Sequence, residues 1–269
     1  MPAKGGATST PRVLTIATSD SGGGAGIQAD LKAFAAAGVY GTSALVALTA
    51  QNTTEVTAVH ELPSDFIRAQ LHAVFDDIGV DAAKTGMLFS RPIIDTVADF
   101  LHQRRVPLVV DPVLIASSGA RLLLDDAVET LVSRLFPLAT VVTPNLSEAV
   151  ALAGPGASNT EPQSLAERLH ERGAPAVIVT GGHGSESVDH LFDGQVHVAI
   201  PVERHDVRAT HGAGCTHSAT LAAELAKGAS LEDAAREAAH AASEAVRNGL
   251  TEIGAGEGPV DVLGLRGDR

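Results

Sequence analysis

The stretch VLTIATSDSGGGAGIQADLKAFAAA, Val13–Ala37, changes its periodicity twice. Val13–Thr18 is an apolar run of strand length, Ser19-Asp20-Ser21-Gly22-Gly23-Gly24 breaks it, and Ile27–Ala37 turns helical. Strand, glycine-rich turn and helix in that order open a βαβ unit. The rest of the chain repeats the pattern. Thr42–Ala50 and Glu55–Leu62 read as strands, and after Pro63 the residues Phe66, Ile67, Leu71, Val74, Phe75 and Ile78 share one helical face. Ala82–Thr85, Leu108–Val110, Thr140–Thr143 and Ala176–Thr180 are further strands, separated by helices over Pro92–Arg104, Asp125–Phe136, Ser147–Ala153 and Pro162–Arg172. Ser187–Phe192 and Val196–Ile200 flank Asp193-Gly194 as a hairpin, and two Ala-rich helices, Thr216–Ala226 and Leu231–Asn248, end the chain. The alternation predicts an α/β fold with a mostly parallel central sheet and helices on both faces. One domain over residues 12–269 is expected, behind a disordered tail at residues 1–11, with Gly154–Pro162 as a loop.

Composition narrows the function. The chain has 269 residues, 45% of them hydrophobic, which suits a large buried core. A net charge of −13, with 3% aromatic residues and no Trp, shows neither the basic face nor the stacking aromatics of a nucleic-acid binder. An anionic small ligand stays compatible, because amides, helix N-termini and Mg²⁺ hold phosphate locally. The single cysteine, Cys215, allows no intrachain disulfide and fits a reducing cytosol. The start MPAKGGATSTP has no apolar core of signal-peptide length, and the Val106–Ala116 run is interrupted by Asp111. A cytoplasmic location without membrane contact is expected.

Ligands of an open parallel sheet bind beyond the carboxyl ends of its strands. Six polar or glycine-rich clusters fall there: Asp20–Gly26, Gln51-Asn52-Thr53, Lys84-Thr85-Gly86-Met87, Asp111-Pro112, Thr143-Pro144-Asn145 and Thr180-Gly181-Gly182-His183. The chain has no G-x-x-x-x-G-K-[ST], and Ile27 stands where a G-x-G-x-x-G would end, so neither standard phosphate motif is complete. Thr210-His211-Gly212-Ala213-Gly214-Cys215-Thr216 precedes a helix, where converging amides make an anion hole. The positive helix end there is expected to lower the Cys215 pKa and give a thiolate able to take a proton. Two other readings stand beside it: glycines that merely permit a tight turn before a buried cysteine, or a zinc site of His211, Cys215 and His217.

These stretches resemble the ribokinase-like superfamily, and within it the hydroxymethylpyrimidine/phosphomethylpyrimidine kinases of thiamine biosynthesis. The matching pieces are Ser19–Lys32, Ala50–Thr53, Lys84–Leu88, Val110–Val113, Thr143–Ala149, Gly181–His183 and Thr210–Thr216, in the family's order, with Gly258-Pro259-Val260 near the end. The resemblance implies a three-layer fold and transfer of phosphate from ATP to 4-amino-5-hydroxymethyl-2-methylpyrimidine, then to its monophosphate. It implies that Gln51 bonds the aminopyrimidine in a pocket shaped by Ala25, Asp30, Met87 and Val113. Glu148 and Asp111 would serve Mg²⁺, with Asn145 and Gly182 on the nucleotide side. Gly212, Ala213, Gly214 and Cys215 would form the anion hole, with Cys215 as base. The family has Lys where this chain has Thr180, so Arg208, or the amides and Mg²⁺, would meet the phosphate charge instead. Thr also occurs there in similar bacterial pyridoxal kinases, which makes vitamin B6 phosphorylation the alternative; a silent ligand-binding protein on the same fold is a third reading. The resemblance also implies a homodimer.

Overall fold

The computed structural model describes residues 10–114, 125–181 and 187–266. The expected tail lies, up to residue 9, outside the described residues, as do Gly182 and His183. The chain runs β1 (Arg12–Asp20), α1 (Gly26–Ala36), β2 (Tyr40–Gln51), β3 (Val56–Glu61), α2 (Ser64–Ala73), β4 (Ala82–Thr85), α3 (Arg91–Gln103), β5 (Leu108–Val110), α4 (Asp125–Leu135), β6 (Val141–Val142), α5 (Leu146–Ala153), α6 (Pro162–Glu171), β7 (Val177–Val179), β8 (Val188–Phe192), β9 (His197–Pro201), α7 (Ala213–Ala226) and α8 (Leu231–Arg247). A π turn, Val74–Ile78, prolongs α2, and a 3₁₀ turn, Phe136–Leu138, follows α4.

The strands form one sheet in the order β3-β2-β1-β4-β5-β6-β7-β8-β9. The centre, β2 to β7, is parallel, while β3, β8 and β9 pair antiparallel at the two edges. Strands buried on both faces read as continuous apolar runs, which is why short segments such as Leu108-Val109-Val110 hold central positions. Alternation sends their side chains to opposite layers. Leu108 and Val110 join Leu14, Ile16, Ile67 and Leu131 in the core beneath α2–α6, whereas Val109 joins Val13, Phe34 and Leu221 in the core beneath α1, α7 and α8. Each such side chain contributes about 1.5–3 kcal/mol by leaving water, and the two layers clamp the sheet between them.

Several boundaries differ from the sequence reading, and two of them bear on the site. Helix α7 begins at Ala213 instead of Thr216, because Gly212 takes a left-handed conformation (φ 88°) that ends the preceding loop and lets Ala213-Gly214-Cys215 form the first turn. Strand β6 is only two residues long, since Thr143 and Pro144 already belong to the turn into α5. Because β1, β2 and β4–β7 run the same way, their carboxyl ends gather the described residues of the six clusters at one edge, with the α7 N-terminus above them. Among the described residues no helix is long and apolar enough to cross a membrane.

Candidate active site

On one side of this edge, a single carboxylate folds the glycine-rich loop after β1. Asp20 accepts from the Gly22 amide through Oδ1 (2.8 Å) and from the Gly24 and Ala25 amides through Oδ2 (3.1 and 2.9 Å). His211 Nε2 lies 3.2 Å from the same Oδ2. Burial alone would raise the Asp20 pKa, but His211 and the loop amides outweigh it and hold the carboxyl below its ordinary value. Ala25 is thereby fixed as the N-cap residue of α1. Gln51 is tied to this loop: Ser21 Oγ donates to its carbonyl (2.7 Å) and accepts from its amide (2.8 Å), and Thr49 Oγ1 donates to its side-chain oxygen (3.1 Å). The Gln51 side-chain NH₂ is left to donate elsewhere. Met87 is buried, its carbonyl accepting from Thr18, and Val113 sits half-buried after the Asp111-Pro112 turn.

Below the loop lies a buried charge cluster that composition does not reveal. Lys84 has no exposed surface; its Nζ is 2.8 Å from Asp30 Oδ1 and 3.5 Å from Asp111 Oδ2. Burial would lower its pKa, yet the charges of Asp30, Cys215 and Asp111 more than offset this, so the ammonium stays charged. Asp30, expected as a wall of the substrate pocket, is also wholly buried, and Thr15 Oγ1 donates to its other oxygen at 2.6 Å. It therefore supports the site from beneath through Lys84. In the sequence Lys84 is marked by its place in a polar cluster at a strand end and in a stretch that resembles the family, but nothing there points to its burial against Asp30 and Asp111.

The α7 turn closes over both. A Cβ on Gly212 would fall 1.9 Å from the Gly24 carbonyl, so only glycine brings this turn against the β1 loop. The Ala213 amide bonds back to Thr210 (3.1 Å) and the Thr216 amide to Gly212 (2.8 Å). The Gly214 and Cys215 amides lie between, in the first turn whose N–H groups a helix leaves unpaired. Gly214 is exposed and faces open space, and Cys215 is half-buried. The expected depression of the Cys215 pKa is not found. Burial pushes the thiol up to about 12, and the Asp30 and Asp111 carboxylates add to this, while Lys84 and the Gly26 amide pull the other way. A helix end contributes about 0.3–1 kcal/mol, which desolvation of a thiolate exceeds. His211 and His217, grouped with Cys215 in the zinc reading, approach different carboxylates, Asp20 and Asp189.

Across the edge, Asn145 and Glu148 make a capping box at α5: Asn145 Oδ1 accepts from the Glu148 amide (2.9 Å), and Glu148 Oε2 accepts from the Asn145 amide (3.0 Å). The Asn-x-x-Glu spacing is thus a helix cap as well as a motif of the family it resembles. Glu148 is buried, and its pKa rises to about 8, chiefly by desolvation and then by the nearby Asp111 charge. Asp111 is held by Ser218 Oγ at 2.8 Å. Two carboxyls that repel each other in a buried spot fit a divalent cation completed by water and phosphate oxygens. Thr180 is half-buried, its amide bonding the Pro144 carbonyl (2.9 Å) beside Asn145. Arg208 is exposed on the loop before α7. The structure therefore brings together Ala25, Gln51, Met87, Asp111, Glu148, Gly212 and Cys215 at one edge, places Asp30 under it, and leaves Arg208 at its rim.

The profile of the family described as phosphomethylpyrimidine kinase matches residues 20–261. The chain belongs to that family. It is 49% identical to the hydroxymethylpyrimidine/phosphomethylpyrimidine kinase of Rhizobium meliloti over 93% of this chain and 96% of that one, and 46% identical to the Haemophilus influenzae kinase of the same name over the same shares. Among solved structures it superposes on an ADP complex of Bacillus subtilis pyridoxal kinase with a TM-score of 0.88 and 39% identity, covering 97% of this chain and all of that one. A phosphomethylpyrimidine kinase from Clostridium difficile superposes at 0.75, also with 39% identity, over 85% of this chain and 96% of its own. The ribokinase-like fold and kinase family expected from the motifs are both found.

Proposed function

We propose that this kinase phosphorylates the hydroxymethyl group of 4-amino-5-hydroxymethyl-2-methylpyrimidine and then its monophosphate, with ATP as donor and Mg²⁺ as cofactor, as a cytoplasmic homodimer whose subunit is one domain. The observation that carries the reading is the seating of Gly212 on Gly24, which sets the α7 amides directly against the loop that holds Gln51. The Gln51 NH₂ donates to the pyrimidine ring while its oxygen stays partnered, and Ala25, Met87 and Val113 enclose the ring. The acceptor oxygen then lies before Gly212–Cys215, and its bond to the γ-phosphorus forms as the bond to the β-phosphate oxygen breaks. The Gly214 and Cys215 amides hold the charge on the transferred group. Asp111 and Glu148 would hold Mg²⁺, which would neutralise phosphate charge. Cys215 takes the hydroxyl proton in its thiolate form, which Lys84 favours and burial opposes. Thr180, Asn145 and Arg208 line the nucleotide side.

The similarity to the Bacillus subtilis pyridoxal kinase favours one second reading, phosphorylation of a B6 vitamer. A screen with ATP and Mg²⁺ against hydroxymethylpyrimidine, its monophosphate, pyridoxal and pyridoxine separates the readings. Preferred turnover of the two pyrimidines is expected; preferred turnover of pyridoxal replaces the first reading with the second. Nucleotide binding without turnover of any acceptor would establish a silent binding protein.

A further inference from the structure

His217 and Asp189 take no part in the chemistry above, yet both are buried at 4% exposure. His217 lies in the second turn of α7, two residues past Cys215, and Asp189 lies on β8. His217 Nε2 is 3.2 Å from Asp189 Oδ2, and Asp189 Oδ1 accepts the Gly181 amide at 2.9 Å. The imidazole lies close to the carboxylate, yet neither ring nitrogen has a hydrogen-bond partner among the described residues. A buried carboxylate and imidazole so sparsely satisfied cost stability where an apolar pair would pack at no penalty. Their position gives a reason for keeping them. Gly181 follows Thr180 at the carboxyl end of β7, against the Asn145 turn, and α7 carries the anion-hole amides. Gly181 is itself pinned, since a Cβ there would sit 2.0 Å from the Val188 carbonyl.

We propose that His217 and Asp189 are a positioning pair that sets the spacing between the α7 anion hole and the Thr180–Gly181 strand end, and so governs nucleotide affinity without governing acceptor affinity. His217 packs its imidazole against Asp189 and keeps the carboxylate oriented, and Asp189 fixes the Gly181 amide; without His217 the carboxylate turns from Gly181 and the strand end loses its tie to α7. The inference deepens the kinase reading above and rests on it.

The test uses the full-length protein. His217→Leu should weaken ADP binding by calorimetry, and raise the KM for ATP, by roughly tenfold, the scale of one unsatisfied buried polar group. The KM for the hydroxymethyl acceptor should stay within about twofold, and His217→Gln, whose amide can still donate to Asp189, should restore most of the nucleotide affinity. Asp189→Asn, which keeps an acceptor for Gly181 but drops the charge, should give a loss between the two and serves if His217→Leu does not fold. Unchanged ADP binding in folded His217→Leu, or in Asp189→Asn if that alone folds, overturns the proposal, as does an equal loss for acceptor and nucleotide or a failure of His217→Gln to restore binding. Direct ADP binding keeps this outcome separate from the kinase reading, which fails if the wild-type protein turns over no acceptor.

Discussion

The proposed acceptor side and the proposed nucleotide side of the site are built differently. On the acceptor side every charge is placed and partnered before a ligand arrives. Asp20 gathers three loop amides and His211, and Lys84 is locked between Asp30 and Asp111 with no exposure at all. On the nucleotide side the backbone is well tied, through the Asn145–Glu148 cap and the Gly181–Asp189 bond, but among the described residues cationic side chains are scarce: Thr180 is neutral and Arg208 is at the exposed rim. Ordering a small uncharged acceptor needs fixed shape and a few directed bonds, which pre-formed networks supply. The donor brings its own charge and can be met by amides and a bound cation, so the protein leaves that field to be completed on binding.

The largest effect should come from the group at the junction of the two sides. Cys215→Ala is expected to reduce turnover by roughly 10²–10⁴ with ADP binding intact, the range for loss of a general base. Because burial sets the free thiol near 12, the thiolate fraction grows throughout the neutral range. With Mg²⁺ saturating, so that Glu148 stays ionised, wild-type kcat/KM should therefore climb by about one decade per pH unit between pH 7 and 9, and Cys215→Ala should flatten that slope. A flat wild-type profile with near-normal Cys215→Ala turnover would leave the anion hole as sole catalyst.

Next in size is the conflict between Glu148 and Asp111. The Glu148 carboxyl titrates at about 8 in the fold against an ordinary 4.5, so the fold favours its protonated form. Its contribution is neutral below 4.5, grows unfavourable from there to about 8, and is fully unfavourable above. Glu148→Gln keeps an oxygen for the cap. Without metal it should be more stable than wild type by about 2–4 kcal/mol at pH 8.5, with the difference vanishing at pH 4.5, while turnover is lost. Urea denaturation at the two pH values measures it. Mg²⁺ should stabilise wild type and leave the variant unmoved; a wild type more stable than Glu148→Gln at pH 8.5 without metal would remove the strained-carboxylate account.

Much of this architecture is legible in the sequence, for a physical reason. Central strands such as Leu108–Val110 are buried on both faces and write unbroken apolar runs, and the helices between them bury one stripe each. The glycines mark loops correctly. They hide the first turn of α7, however, because Gly212 and Gly214 read as flexible whether or not a helix has begun. Pairings between distant charges are not legible. Asp20 meets His211 across 191 residues, and Lys84 meets Asp30 across 54, with no local pattern announcing either. The sign of the Cys215 shift was equally hidden, since a helix N-terminus is visible in sequence and the depth of a thiol is not.

A smaller effect tests the acceptor side alone. Gln51→Ala should weaken hydroxymethylpyrimidine by about 1–3 kcal/mol, because the ring nitrogen loses a donor oriented by Thr49. ATP binding should be unaffected. Equal weakening of pyridoxal and hydroxymethylpyrimidine would show that Gln51 does not choose between them.

The smallest effect tests the nucleotide side, and it should be a gain. Thr180→Lys puts a cation where the family it resembles has one, in a chain of net charge −13. A charge-assisted contact to phosphate is worth about 1.5–3 kcal/mol when well shielded. Thr180 is half-buried, so solvent screening should hold the gain to roughly tenfold or less. It should appear as a lower KM for ATP and faster transfer to the already anionic monophosphate, and less in the first phosphorylation, whose acceptor is neutral. Raising ionic strength should erode the gain, since an open contact is screened within about 10 Å at 0.1 M salt. Kinetics with both acceptors at two salt concentrations decide the matter. If Thr180→Lys leaves both steps unchanged, the amides, Arg208 and the cation already neutralise the phosphates, and the sparse nucleotide side is electrostatically complete as it stands.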